Sequence, residues 1–292
     1  MDRDRIAAVA LLFVVASLSV NFISLGNSGP EVLFDLSHGA RKRAMGKIGV
    51  GLAGGGSKFP RNPALIRDKV KPALHSLYSR PFDKYSHYNF SFGFRGFRAS
   101  YTGLTAGNIV ERDLYGDPTG TSFSYSSHGI VAGVGGEIRN VGLGIKGKGF
   151  YSSTRDQQFL YSLTPGLAYS WKPFRFGAAF TNLLSSPKTL DQESGYWDRR
   201  LAFGFGFVTD DLRIGVDLET EIGEGKFGVG LYRAGIEWWA RDYLALRGGF
   251  NGNREKSFGF GFRGGNIRID YAYTFHDQLP DSYAVSLGWV FG

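Results

Sequence analysis

Cysteine is absent from this 292-residue chain, which removes a disulfide scaffold, a thiolate nucleophile and any cysteine-bound zinc in one step. Proline is scarce, with 10 residues and no regular spacing against glycine, so a collagen-like rod is excluded. The five histidines, His38, His75, His87, His128 and His276, form none of the HxxxH or HExxH spacings of a metal or proton-transfer centre. His276 stands near Asp277 and Asp281 and reads as part of a solvated acidic loop. Gly49-x-Gly51-x-x-Gly54 and Gly142-x-Gly144-x-x-Gly147 satisfy a dinucleotide fingerprint on paper, yet neither opens a helix inside a βαβ unit. No Walker motif and no pair of catalytic carboxylates occurs. The residues present predict a protein that is not an enzyme and carries no cofactor or metal.

Long apolar runs are also missing, apart from residues 6–16 (IAAVALLFVVA) behind a short charged start. A spanning helix needs about 20 apolar residues, so this run reads as the core of a signal peptide over 1–26, cleaved after Ser19 or Gly26.

What the chain has in excess is glycine and aromatic residues. Glycine numbers 43, roughly twice the usual share of about 7 %. From residue 73 onward the apolar residues recur at every second position: Phe90, Phe92, Phe94; Leu201, Phe203, Phe205, Phe207; Ile267, Ile269, Tyr271, Tyr273, Phe275. That period is a strand period. Between them stand Gly204, Gly206, Gly259 and Gly261 with Arg213, Asp217, Arg247, Arg263, Arg268 and Asp270. One face is large and apolar, the other small or charged. A soluble sandwich seldom places so many glycines on its wet face, whereas a membrane barrel turns aromatics to lipid and keeps small polar residues for the lumen. Tyr169, Trp171, Trp238, Tyr243 and Trp289 fall near strand ends, as an aromatic girdle requires.

Connection lengths point the same way. Tight turns at Gly96, Arg139-Asn140, Lys172-Pro173, Asp210-Asp211, Arg241-Asp242 and 264–266 alternate with longer stretches at roughly 106–120, 153–158, 183–198, 222–228, 252–255 and 276–281. Short periplasmic turns and long outer loops alternate in this way in outer-membrane barrels. Thirteen strands follow, and residues 73–80 supply a fourteenth, giving the even number that closure needs. The expected fold is all-β, a 14-stranded antiparallel transmembrane barrel over 73–292. Residues 27–72 lack alternation and have a glycine-rich centre, so they are expected to fill the lumen as a hatch.

The stretch Gly39-Ala40-Arg41, Ala44-Met45-Gly46, Gly49 and Arg61-Asn62-Pro63-Ala64-Leu65-Ile66, followed by fourteen strands, resembles the long-chain fatty acid transporter superfamily of outer-membrane proteins. Glu237-Trp238-Trp239 and 262–273 look more like a branch that includes uncharacterised barrels and the shuttle component of type IX secretion. The resemblance implies location in the outer membrane of a diderm bacterium, with membrane lipid and a small hydrophobic or amphipathic ligand as partners. It also implies that Asn62, Pro63 and Ala64 lie against the third strand (97–105), where Gly96 and Gly103 would permit a lateral kink. The function it implies is hatch-gated uptake or binding of such a molecule. A non-transporting docking barrel is the alternative, and a general porin is less consistent with a 46-residue plug.

Alternation assigns Arg95, Arg98, Lys146, Lys148, Arg175, Arg213, Arg233, Arg247, Arg263 and Arg268 to the lumen, against Asp217, Glu219, Glu237 and Asp270, with sparse apolar lining at Leu104, Phe150, Leu160 and Trp239. The net charge of +8 invites a nucleic-acid reading, but it is not spread along the chain. Residues 27–72 hold nine basic and three acidic residues, so most of the excess belongs to the hatch, and no nucleic-acid partner is expected. A basic hatch inside a basic wall needs counter-charge. The four luminal carboxylates are the candidates.

Overall fold

A computed structural model gives the fold, and it describes residues 30–52, 59–66, 71–81, 85–112, 115, 117–152, 158–186, 197–223, 226–227, 230–277 and 279–292. The expected signal peptide and its cleavage sites lie outside these residues.

Fourteen strands form one antiparallel sheet: β1 (Ala73–Arg80), β2 (Ser86–Phe94), β3 (Phe97–Arg112), β4 (Pro118–Ile138), β5 (Val141–Ser152), β6 (Gln158–Trp171), β7 (Phe174–Thr181), β8 (Arg200–Val208), β9 (Leu212–Gly223), β10 (Leu231–Arg241), β11 (Leu244–Asn251), β12 (Lys256–Gly264), β13 (Ile267–Phe275) and β14 (Ser282–Val290). Two-residue pieces, Leu184–Ser185 and Lys226–Phe227, add to β6 and β9. Each strand pairs with its sequence neighbour, and β14 returns to β1 from Ala73↔Val290 to Arg80↔Tyr283, so the sheet has no free edge.

Local chemistry sets the hairpins. Arg95 and Gly96 both take positive φ (38° and 73°) between the paired Phe94 and Phe97, the backbone of a two-residue turn whose twist matches its strands. Strands β3 and β4 extend further than the period-two pattern suggests. The expected loop over 106–120 is instead a paired ribbon reaching Arg112↔Pro118, with register shifts near Ala106 and Val110. Residues 118–124 are exposed on both faces. A ribbon wet on both sides has no apolar alternation to read, although its ladder of hydrogen bonds persists.

Side chains sort by face. Phe90, Ile130, Leu143, Phe203, Leu218, Phe258 and Leu287 are exposed on the outside, as are Tyr169, Trp171, Trp238, Tyr243 and Trp289 near strand ends. The alternate positions point inward and are largely buried, because the N-terminal segment lies among them. That segment contains helix α1 (Glu31–Leu36), helix α2 (Ala40–Ala44) and a 3-10 turn (Pro63–Leu65). Helix α1 packs on β3 and β4, α2 on β11 to β14, and the 3-10 turn on β4 to β6.

Inward glycines let backbone meet backbone. A Cβ at Gly177 would stand 2.0 Å from the Val50 carbonyl oxygen, one at Gly204 2.1 Å from the Gly51 nitrogen, and one at Gly235 2.3 Å from the Met45 carbonyl oxygen. No side chain fits there. The glycine excess is thus a mould for the segment inside.

Candidate functional site: the occupied lumen

Three wall carboxylates grip the N-terminal segment directly. Asp217, 1 % exposed, accepts from the backbone N–H groups of Gly49 (2.6 Å), Val50 (3.0 Å) and Gly51 (3.3 Å). Residues 49–51, the start of the pattern that mimics a dinucleotide fingerprint, therefore form an anion cradle filled by the protein's own carboxylate. Glu219 takes Arg61 at 2.5 Å and the wall residue Arg233 at 2.5 Å, with Arg200 at 3.6 Å. Glu237, fully buried, accepts from Arg41 at 2.6 and 2.7 Å in a two-pronged pair, and from Arg247 at 2.7 Å and Arg213 at 3.0 Å. Asp270 is tied to Arg247 (3.0 Å) and Arg268 (3.1 Å), one step behind Glu237. Removal of one partner from such buried pairs leaves an uncompensated charge, which is why they fix position.

Lysines of the wall and of the segment complete the grip. Lys146 donates to the carbonyls of Pro60 (3.3 Å) and Arg61 (2.6 Å), and Lys42 donates to Phe59 O at 2.5 Å. Lys47 meets Glu255 at 2.7 Å, and that pairing, with Asn251 beside it, outweighs burial and holds the Glu255 carboxyl below its usual range. Burial pushes the Asp35 carboxyl up, but Arg61, Arg233, Lys47 and Arg200 overcome it and set its pKa at about 2. Arg61 donates toward His38 Nε2 at 3.3 Å, so that nitrogen carries no proton. Burial, then Lys42, Arg61 and Lys47, holds His38 well below its usual pKa.

Asn62, Pro63 and Ala64 sit elsewhere than the resemblance implies. Asn62 Nδ2 donates to Val50 O (3.1 Å) and to Leu167 O on β6 (2.8 Å), while its Oδ1 accepts from the Ala64 N–H (3.0 Å) and caps the 3-10 turn. Pro63 lies on Gly144 of β5, so the motif packs against β4 to β6 and not against β3. Gly96 and Gly103 form no kink. β3 is paired without interruption from Phe97 to Thr105 on both sides. Gly96 serves the turn, and a Cβ at Gly103 would meet the Tyr88 ring at 2.3 Å. Aromatic packing on the outer face requires that glycine.

Arg95 also departs from its expected luminal place. It occupies the β2–β3 turn, exposed, with its guanidinium 5.0 Å from the Phe94 ring. Alternation fails there because a two-residue turn has no inside face. Arg98 is buried over Gly93 and donates to Phe97 O at 2.9 Å. Arg175 is half-buried beside the tight turn that precedes β7. Arg263 is exposed at the mouth, 4.4 Å from the Trp239 ring centre. The His276 loop is more closely knit than a solvated one, since the His276 N–H donates to Asp281 (3.2 Å) and its ring lies 3.7 Å from Glu255.

Toward the long-loop end the lumen changes character. Leu33 and Phe34 of α1 enter an apolar cluster of Leu104, Val131, Phe150, Leu160 and Trp197. Lys148 Nζ stands 5.4 Å from the Phe34 ring centre and 4.9 Å from that of Trp197. It reaches Asn182 Oδ1 at 3.1 Å and Glu31 at 3.5 Å, and Asn182 Nδ2 in turn donates to Glu31. The adjoining cavity, bordered by Phe34, Phe59, Val131 and Lys148, measures about 60 Å³, room for a few waters. Phe34 and Trp197 lie outside the alternating pattern, so no periodic signal marked them. The inward glycines were the available clue to backbone contact.

Fold and site together define a class: a closed fourteen-stranded antiparallel barrel whose lumen is occupied by its own N-terminal segment. No family model and no curated protein matches the sequence. Solved structures do. The P. putida toluene transporter TodX aligns with a TM-score of 0.63 at 11 % identity, over 87 % of this chain and 99 % of that one. The CymD monoaromatic hydrocarbon channel aligns at 0.59 and 11 %, over 87 % and 97 %. A TodX deltaS2S3 mutant gives 0.59 at 12 %, over 87 % and 99 %. At these identities the likeness is one of fold, and it is the fold that the resemblance to the fatty acid transporter superfamily implies.

Proposed function

We propose that this chain is an outer-membrane barrel that binds and admits small hydrophobic or amphipathic molecules, with residues 27–72 acting as a displaceable hatch. The observation that carries the reading is the division of the lumen. The segment inside is held on Glu237 toward the tight turns, on Asp217 at mid-barrel and on Glu219 nearer the long loops, and beyond it the loop end has an apolar cluster with Lys148 at its side. The outward aromatic face supports membrane insertion, and the toluene and hydrocarbon channels of like fold support the ligand class. The cavity beside Phe34 is too small for such a guest unless the segment moves, so entry and gating are one event.

Planar-bilayer conductance tests this. The native barrel is expected to show no steady large channel, and Gly177→Leu, whose side chain would collide with Val50, is expected to create one. Cells carrying the native barrel should take up toluene or octanoate faster than cells without it. Steady large conductance from the native protein, or uptake equal to the empty-vector control, would sink the proposal.

A further inference from the structure

Toward the tight-turn mouth, the cluster around Glu237 and Trp239 holds more arginines than the two carboxylates they pair with. Arg41, Arg213, Arg247 and Arg268 converge there on two acids, Glu237 and Asp270, and Arg263 stands beside them over the Trp239 ring. Trp239 is the hub of their outer side. Its Nε1 donates to Glu237 (3.2 Å), while Arg263 stands 4.4 Å and Arg268 5.8 Å from its ring centre. Arg268 reaches Glu237 only at 3.9 Å. The acids are consumed by the inner arginines: Glu237 by the two-pronged Arg41 and by Arg247, Asp270 by Arg247 and Arg268.

Donors are left over. Arg247 Nη1, on a side chain with no exposure, and Arg268 Nη2 have no hydrogen-bond acceptor among the described residues. A guanidinium has five N–H groups and cannot lose its charge, so each buried N–H that lacks an acceptor is costly. The cluster is open on one side, because Arg213 retains 28 % side-chain exposure and Arg263 is exposed. Arg263 spends one donor on Asp242 O at 2.9 Å and holds its guanidinium 4.4 Å from the Trp239 ring centre.

We propose that this mouth is an oxyanion-binding site, taking a carboxylate or phosphate group between Arg213, Arg263 and Arg268 with Trp239 as its floor. Planar fork donors match such groups in pairs, and an anion there neutralises part of the excess that Glu237 and Asp270 leave. The site rests on the passage reading only for the source of the anion: the head of an amphipathic acid leaving the lumen, rather than a free small anion from solution.

The test is isothermal titration of the full barrel, held in amphipol, with sodium octanoate, sodium acetate, inorganic phosphate and 1-octanol. Octanoate is expected to bind at least tenfold more tightly than 1-octanol, and Arg213→Gln with Arg263→Gln should remove that advantage. Octanoate tenfold tighter than acetate and phosphate assigns the site to an amphiphile head. Equal affinity for all three anions keeps the site and assigns it to free anions. Octanoate no tighter than 1-octanol with no binding of acetate or phosphate overturns the proposal, as does a double variant that binds like the native protein. If the double variant loses the gel mobility of a folded barrel, Arg263→Gln alone is read, since Arg263 contributes no ion pair to the buried network. Phosphate binding that depends on Arg263 would survive even if conductance disproved the hatch, so the two ideas fail separately.

Discussion

The Asp217 cradle makes the sharpest prediction. Asp217→Ala removes the acceptor of three backbone donors, at 2.6, 3.0 and 3.3 Å, at a residue only 1 % exposed. Two good charge-assisted bonds and one long one amount to roughly 3–5 kcal/mol, because each orphaned donor also keeps its desolvation cost. At about 1.4 kcal/mol per tenfold, the segment should open about 10²- to 4 × 10³-fold more often. Hydrogen exchange read by mass spectrometry on the membrane-reconstituted protein measures this. The amides of Gly49 to Gly51 lose their own bonds and report little. Leu65 and Ile66 are the informative ones, since their N–H groups donate to Asn62 O (3.1 Å) and Pro63 O (3.0 Å), away from the mutated carboxylate. Their exchange should quicken with that of 49–51 while strand amides stay protected. The outward Leu218→Ala, one residue along, should change neither. Unaltered exchange at Leu65 and Ile66 in Asp217→Ala would refute the claim that this carboxylate holds the segment.

Acid should loosen the same segment and alkali should not. His38 sits below its ordinary pKa near 6.5 and Asp35 at about 2 rather than near 4, so both contribute stability that is complete above their unfolded pKa values. Protease resistance of 30–66 is therefore expected to be flat from pH 7 to 9, to slope downward below about 6.5, and to fall further between about 4 and 2; release on raising the pH would contradict the assignment. His38→Asn should erase the first slope alone. In the wall, Phe260→Arg turns a charge toward lipid from mid-strand and is expected to cost about 2–4 kcal/mol in bilayers, read as a lowered urea midpoint. An unchanged midpoint would argue against membrane insertion at that depth.

Much of the architecture is legible because a strand buried on one side must alternate. Phe258, Phe260 and Phe262 against Gly259 and Gly261 announce both the strand and its two environments, and the short turns mark where it reverses. Alternation fails where that asymmetry fails: at Arg95, which is in a turn, and over 106–120, where a ribbon is wet on both faces. The need for counter-charge was also readable, since nine basic residues over 27–72 cannot be buried in a basic wall without acids.

The partners of those charges were not. The pairing of Arg41 with Glu237 joins residues 196 apart, and the Gly49 donor meets a carboxylate 168 residues away. A periodic pattern states which way a side chain points, and it contains nothing about what comes to meet it. Asn62 shows the limit well: its capping of Ala64 is a local signal, but its bond to Leu167 on β6 depends on where the closed barrel places that strand. The sequence by itself determined a closed, glycine-rich barrel with a basic segment to accommodate, because strand period and composition are local properties. Which carboxylate receives which base, and which arginine nitrogens at the mouth lack an acceptor among the described residues, only the tertiary structure decided, because these follow from distances set by closure and not by order along the chain.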